Sequence, residues 1–158
     1  MTTDAILTPA ELQLSIELAE PTPGAITFSV HGPASTKGST RSVISNDTGR
    51  IITKADAKSL GVWTQAVAWS AKAAGVKYVP KPRAIGVRVW LLFARPSSVS
   101  VTKRPRMTVP PDLDKCLRAA LDALTGIAYE DDSQVVETTV RKRYAARTET
   151  YLQIWEVR

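Results

Sequence analysis

The sequence predicts an α/β or α+β fold, a mixed β-sheet with helices packed on it, in a single domain. Three observations support this. Segments in which apolar residues alternate, as in strands, exchange along the chain with segments in which they recur every three or four positions, as in helices. The resulting order is β-α-β-α-β-β, with the last two strands adjacent in sequence. A length of 158 residues suits one domain with its own core.

The beginning of the chain contains one predicted strand between two irregular segments. Residues 1–22 are predicted to be an N-terminal extension, whose apolar pattern fits either a strand or a helix start, and the domain proper covers residues 23–158. Residues 25–30 alternate as a strand. His31 follows before a Gly-Pro turn and is predicted to lie at the surface. Residues 32–41 contain Gly, Ser, Thr and basic residues, which predict a flexible, cationic loop.

The middle of the chain predicts a helix and a central strand. Residues 57–74 form the helix, since their apolar side chains have helical spacing, and Gly75 provides its C-terminal stop. The strand follows from clean alternation at five positions, Ile85, Val87, Val89, Leu91 and Phe93. Its opposite face includes Trp90 and Leu92, so we expect burial on both sides, as in a central strand.

The last third predicts a long loop, a helix and a hairpin. Residues 96–111 form the loop, and loops of this length without structure are usually functional or disordered. The helix covers residues 112–124 and ends at a Thr-Gly pair. Residues 135–144 and 150–157 are the two strands of the hairpin.

Composition narrows the class of protein. Hydrophobic residues make up 44% and charged residues 23%, as in ordinary water-soluble globular proteins. The sequence lacks a secretory pattern, and no apolar run approaches the ~20 residues of a membrane helix, so we expect a cytoplasmic protein without a membrane segment. One cysteine and one histidine exclude a disulfide framework and a Cys/His zinc site. Any bound metal would be held mainly by oxygen atoms.

Acidic residues are concentrated in one part of an otherwise basic chain. There are 21 Lys and Arg against 15 Asp and Glu, yet 7 of these acids lie between Asp112 and Glu137. Between Ala57 and Pro111 there is no acid, only ten Lys and Arg. Crowded carboxylates repel one another unless a cation neutralises them. A basic surface around them attracts a polyanion. Together these features indicate metal-dependent chemistry on nucleic acid.

Asp112 and Asp114 are the first candidate metal ligands. The structural alternative is that they only stabilise a helix start, where acids cap amides and complement the dipole. One Asp would suffice for that, and residues two apart face different sides of a regular helix. The two carboxylates can converge only where the backbone is still extended, directly after Pro111. A metal site can be built at this transition.

Asp132, preceded by Asp131, is the third candidate. Adjacent Asp residues are frequent in turns, which is the structural alternative here. The helix between the two acidic groups spans roughly 20 Å. The spacing alone does not establish whether the loop and the strand bring Asp132 back to Asp112.

Other reactive or aromatic side chains have simpler interpretations. Arg118 follows the second aspartate by four positions, which fits a surface ion pair or a cation beside the scissile phosphate. Cys116 is predicted to be a core or near-core residue, because no histidine partner accompanies it. Trp63 and Trp69 fit the apolar side of their helix and are predicted to be core residues rather than platforms for base stacking.

Two loops carry candidate DNA-binding cations. Lys37 and Arg41 lie in the Gly/Ser-rich loop, and a second group lies directly before the acidic motif: Lys103, Arg104 and Arg106. Charged loops are often only solvated. Flexible Lys and Arg beside an acidic site are nevertheless suited to contact phosphates rather than base edges.

The acidic motifs resemble those of RusA-type Holliday junction resolvases. The resemblance rests on Asp-Leu-Asp-x-x-x-Arg-Ala-x-x-Asp-Ala-Leu-Thr, a short linker and Asp-Asp-x-Gln-Val-Val, within residues 112–142. Upstream, Phe-Ser-Val-x-Gly-Pro-x-x-x-Lys-Gly at residues 28–38 resembles a strand and loop of the phage-borne members. The close match covers about one fifth of the chain, and its motif is specific in combination.

The resemblance implies a homodimeric, magnesium-dependent endonuclease that nicks branched DNA at four-way junctions, with Mn²⁺ as an alternative cofactor. Carried over by position, Asp112, Asp114 and Asp132 would be the metal-binding catalytic aspartates. Arg118 stands where the family has an essential lysine; it keeps the charge but can hardly give up a proton. Lys115 stands where many members have asparagine, and it adds a cation that suits DNA binding.

The implied mechanism follows from the chemistry of Mg²⁺. The cation needs oxygen ligands, lowers the pKa of a bound water and polarises the scissile phosphate. Arg118 would stabilise the negative charge that develops on the phosphate. Paired nicks require two active sites, which a two-fold dimer supplies. Residues 87–93 are a candidate contributor to the dimer face.

Two other enzyme classes with an Asp-x-Asp motif fit poorly. Aspartyl-phosphate phosphatases place the motif after a buried strand, whereas two prolines precede it here. Sugar-nucleotide transferases need a nucleotide-binding domain that 158 residues can hardly hold as well. The remaining alternative is a non-catalytic, basic DNA-binding protein whose acidic clusters are structural, which predicts binding without cleavage.

Overall fold

The predicted fold class is confirmed: a mixed four-stranded sheet carries two helices in one compact domain. The structure, a computed structural model, describes residues 22–36, 40–44, 51–55 and 57–158. A single turn of 3-10 helix, Asp132–Gln134, precedes the fifth strand. The other elements are β1 Ile26–His31, β2 Thr40–Ile44, β3 Ile51–Ala55, α1 Ala57–Ala73, β4 Ala84–Ala94, α2 Leu113–Leu124, β5 Val135–Ala145 and β6 Glu149–Val157.

The order of strands in the sheet is β1-β6-β4-β5. β4 runs antiparallel to β6 and parallel to β5, so it is the central strand that its two apolar faces predict. The predicted hairpin of the last two strands is wrong: β5 and β6 follow each other in sequence, but β4 lies between them, and each pairs with β4 instead. The parallel pair requires a crossover connection, which α2 provides. Consequently α2 runs opposite to β4 and β5, and its first residues lie near the carboxyl ends of these strands.

The main core lies between the helices and one face of the sheet. β4 contributes the alternating side chains of Ile85, Val87, Val89 and Leu91. They contact the apolar sides of α1 and α2, represented by Val67 on α1 and by Ala119, Ala120 and Leu124 on α2. Full burial of one such Val or Leu stabilises the fold by about 1.5–3 kcal/mol. One apolar layer thus combines helix side chains that recur about every 3.6 residues with strand side chains that recur every two residues.

The opposite face of β4 is also buried, as predicted. Trp90 and Leu92 are only 4% and 6% exposed and pack with Tyr151. Gly86 lies on this face directly beneath the indole ring of Trp155, and an added Cβ would overlap that ring. Glycine is required here by close packing rather than by backbone conformation. The guanidinium of Arg88 lies 5.1 Å from the centre of the same indole ring.

Besides the hairpin, two expectations differ from the structure. Trp69 was expected in the core but is 73% exposed, whereas Trp63 is buried. The reason is geometric: Trp69 lies two positions after the buried Val67, about 200° around the helix axis. The antiparallel pair β2–β3 was not predicted. Its strands are short and flank a polar Asn-Asp-Thr-Gly segment, and the predicted flexible loop includes the beginning of β2.

The expected exposure or burial of two further side chains is confirmed. His31 is exposed, and Cys116 is buried, as predicted. Most of the predicted N-terminal extension, residues 1–21, lies outside the described residues, so its boundary stays a prediction. Among the helices that the structure describes, none is long and apolar enough to cross a membrane.

Candidate active site at the start of helix α2

Asp112 is the N-cap residue of α2. Its φ of −69° and ψ of 137° are extended, so the chain changes from extended to helical at this residue, as the sequence predicted. Its side chain makes no hydrogen bond to the helix amides. Capping therefore does not occupy the Asp112 carboxylate, although capping is the usual role of Asp at this position.

Lys115 forms an ion pair with Asp112. Its Nζ lies 2.6 Å from Oδ2 of Asp112, and both side chains are partly exposed. The hydrogen bond and the charge of Lys115 hold the pKa of Asp112 below its usual range, and Asp112 raises the pKa of Lys115. The Asp112 carboxylate, which is ionised at neutral pH in any case, therefore stays ionised to lower pH, and the ionised form is the one that binds a cation.

Asp114 and Arg118 follow on α2, and both are exposed. Their separation of four positions places them on the same side of the helix. The ion pair of this first turn joins Asp112 to Lys115. The start of α2 therefore presents a carboxylate and a guanidinium to solvent on one face.

Asp131 and Asp132 belong to the 3-10 turn before β5. Asp131 caps this turn: its Oδ1 accepts a hydrogen bond from the amide of Ser133 at 2.9 Å. Hydrogen bonds from the Ser133 hydroxyl and from this amide, with a smaller contribution from the charge of Lys81, lower the pKa of Asp131. The structural interpretation thus suits Asp131, whereas Asp132 is exposed.

Asp132 lies at the opposite end of α2 from Asp112 and Asp114. The hydroxyl of Tyr129 donates to the Leu121 carbonyl near the C-terminus of α2, and the charge of Asp132 acts on Tyr129. Since α2 has 12 residues, its two ends are about 18 Å apart. A single chain therefore does not bring the three predicted ligands together.

The described residues contain no group of three or more His, Cys, Asp or Glu side chains that could hold a metal ion. Asp112 and Asp114 alone nevertheless suit Mg²⁺, which prefers oxygen and is often held by one or two carboxylates together with water and substrate phosphates. Both aspartates are exposed at the extended-to-helical transition, where such ligands remain accessible.

Gln134, the glutamine of the second motif, has a structural role that the sequence did not reveal. Its amide nitrogen donates to the carbonyls of Val79 and Arg83, both at 3.0 Å. Its amide oxygen accepts from the backbone amides of Glu130 and Asp131. Gln134 is buried, and these bonds join the turn that carries Asp132 to the connection between α1 and β4.

Replacing Gln134 with methionine keeps the length of the side chain but removes all of these hydrogen bonds. Because buried backbone groups would lose their partners, we expect the free energy of unfolding to fall by roughly 3 kcal/mol. Urea unfolding followed by circular dichroism measures this. Glu137→Gln, three positions further along the chain and exposed, serves as the control. A loss below about 1 kcal/mol would contradict the assigned role.

Cys116 lies on the inner side of α2 and is fully buried. Burial raises the pKa of its thiol to about 11, so roughly one molecule in a thousand carries a thiolate at pH 8. We expect native protein to resist a thiol-specific reagent such as dithionitrobenzoate and denatured protein to react completely. Since this is the single cysteine of the chain, the absorbance reports on it alone. Rapid reaction of the native protein would contradict its burial.

The basic loop before α2 is fastened to the sheet. The guanidinium of Arg95 donates to the carbonyls of Arg104 and Pro105, at 2.8 and 3.0 Å, and lies 4.1 Å from the centre of the Tyr144 ring. The three predicted phosphate-binding side chains of this loop are exposed: Lys103, Arg104 and Arg106. They are therefore accessible to a large ligand.

The other predicted DNA-binding loop is only partly described. Lys37 lies outside the described residues, and for Arg41 the structure describes only its place in β2.

Lys142 is a residue of the site region that the sequence did not single out. Its side chain contacts the segment before Asp112. The sequence does contain a pattern that could have indicated this: alternation along β5 places Lys142 on the same side as Val140 and the buried Tyr144.

Comparison with known proteins gives two findings. A model of the family described as endodeoxyribonuclease RusA matches residues 33–155. The "Uncharacterized protein YqaN" of Bacillus subtilis (strain 168) is 29% identical over 141 residues, which cover 84% of this chain and 96% of that protein. The matched range of the family includes both acidic groups and the basic loop between β4 and α2.

Proposed function

The chain belongs to the RusA endodeoxyribonuclease family, and from this premise we propose that it is a Mg²⁺-dependent endonuclease that resolves four-way DNA junctions by paired nicks. The observation that carries the proposal is the uncapped Asp112 carboxylate at the start of α2, followed by Asp114. The exposed cations of the preceding loop support DNA as the substrate. Such a substrate would be met in the cytoplasm.

Asp112 and Asp114 would hold the cation, and Mn²⁺ could replace Mg²⁺. When bound, the cation supplies Lewis acidity toward a phosphate oxygen and neutralises the carboxylates. Arg118, exposed one turn further along α2, would stabilise the negative charge that builds up on the phosphate. Because Arg hardly releases a proton, its role in this proposal is electrostatic. Lys115 pairs with the Asp112 carboxylate in the absence of the cation.

The third aspartate leads to a proposal about assembly. Asp112 and Asp132 lie at opposite ends of α2, which is about 18 Å long. In a two-fold dimer, however, the partner subunit's Asp132 can approach Asp112 and Asp114 while the reverse happens at the second site. We therefore infer a homodimer with two shared active sites, one for each nick. The backbone of β4 is already paired on both sides, so only its side chains could contribute to the dimer face suggested for residues 87–93.

The test of the proposed function is cleavage of a synthetic four-way junction, with linear duplex of the same sequence as the control. Reactions contain Mg²⁺, Mn²⁺ or EDTA, and the two strands are labelled separately. We expect paired nicks in the junction with either metal and none with EDTA. Binding without nicks under every condition would contradict the proposal and favour the alternative, a non-catalytic basic DNA-binding protein with structural acids.

A further inference from the structure

Lys142 is a basic residue on the inner side of the sheet. It alternates on β5 with Val140, which packs against the main core, and with the buried Tyr144. A lysine at such a position loses part of the hydration of its ammonium group, which is unfavourable unless protein acceptors replace water. Its Nζ therefore requires hydrogen-bond acceptors from the protein.

The Nζ of Lys142 donates to the carbonyl oxygens of Val109 and Pro111, both at 2.8 Å. These residues belong to the entry segment (residues 109–112), through which the chain enters α2. The segment contains Pro110 and Pro111, which have no amide hydrogen to donate. Lys142 thus joins β5 directly to the residue before Asp112.

The two hydrogen bonds of Lys142 are important because the side chain of Asp112 does not fix the start of the helix itself. A typical N-cap side chain bonds the amides of the first turn and so sets where the helix begins, but Asp112 makes no such bond. Its carboxylate pairs with Lys115 instead. The middle of the loop is held by Arg95 through the carbonyls of Arg104 and Pro105. Lys142 therefore supplies the attachment closest to the acidic motif.

We propose that Lys142 is a positioning residue, which holds the entry segment against β5 and thereby sets the direction in which Asp112 and Asp114 present their carboxylates. It acts through the backbone rather than on the DNA. This inference rests on the proposed function for its catalytic consequence, but its geometric part can be measured without any activity.

The test compares Lys142→Met, which keeps the aliphatic stem, with Lys142→Arg, which keeps the charge and the donors. Lys72→Met, at an exposed position in the last turn of α1, is the matched control. For Lys142→Met we expect kcat for junction cleavage to fall by about 10²-fold, because small displacements of catalytic groups cost that much. KM and junction affinity in EDTA stay unchanged. Lys142→Arg should recover most of kcat.

Hydrogen exchange measured by mass spectrometry provides the independent readout. In Lys142→Met we expect faster exchange in peptides covering residues 107–118 and unchanged exchange in residues 119–124. Unchanged exchange in both regions, or a kcat equal to that of the wild type, would overturn the inference. If the wild-type protein cleaves no junction, the proposed function fails separately, and exchange alone decides whether Lys142 holds the entry segment. If Lys142→Met does not fold, Lys142→Gln, which is shorter and uncharged, replaces it in the exchange comparison with the same expected result, and Lys142→Arg remains the rescue variant.

Discussion

Asp114→Asn is expected to lower the rate of junction nicking on the order of 10²–10³-fold while leaving the protein folded and able to bind DNA. The substitution preserves shape but removes the charge that would hold the divalent cation. Asp114 is exposed in the first turn of α2, so little packing depends on it. Binding should be unchanged or slightly tighter, since one negative charge beside the phosphates is removed.

The assay is single-turnover cleavage of a labelled junction at saturating protein, with affinity measured separately in EDTA. Glu137→Gln is the matched control, because Glu137 is another exposed acid of the same acidic stretch, on β5. It should cleave like the wild type. If Asp114→Asn cleaves at the wild-type rate, the acidic motif at the start of α2 is structural, and the catalytic assignment is wrong.

A mixture of Asp114→Asn and Asp132→Asn proteins is expected to nick junctions although each protein alone is inactive. If each site combines Asp112 and Asp114 of one subunit with Asp132 of the other, a mixed dimer contains one fully intact site and one doubly altered site. With random exchange half of the dimers are mixed, so nicking should recover to about a quarter of the wild-type level. Products should carry single nicks rather than paired nicks.

Subunit exchange is verified with tags of different size, and the mixture is incubated before the junction is added. Recovery would establish both the dimer and the shared site. An inactive mixture that contains verified mixed dimers would mean that each site is built within one chain. Full activity of Asp132→Asn alone would remove Asp132 from the active site. The last two results differ, so the experiment separates two questions: whether a site lies within one chain or between two, and whether Asp132 belongs to it.

Sequence reasoning succeeded where the signal is local. The alternation of Ile85, Val87, Val89 and Leu91 predicted a central strand, and the spacing of apolar residues predicted both helices, because these patterns depend only on residues close in sequence. It was wrong for Trp69, which lies about 200° around the helix axis from the buried Val67 and therefore faces solvent. It missed the pair β2–β3, whose short strands lack a long alternating run.

For the candidate site too, the sequence revealed the local features and missed the contacts between distant residues. The sequence alone identified Asp112, Asp114 and Arg118 as one motif at the start of one helix, and it placed Asp114 and Arg118 on the same side because residues a turn apart are neighbours in any helix. It also identified the acidic pair before β5 and the exposed basic loop. It did not reveal that Gln134 holds the turn of Asp132 or that Lys142 holds the start of α2, since both side chains contact residues far away in sequence.

The sequence by itself thus determined the fold class and the order of all elements other than β2 and β3, because both follow from residue type and local periodicity. It also predicted the chemical character of the site. Only the tertiary structure decided distances between segments: that Lys142 reaches the entry segment, and that Asp132 lies at the far end of α2 from Asp112. The physical reason is that such distances depend on the crossover path of α2 and on its packing against β4 and β5. Neither is encoded by the spacing of residues along the chain.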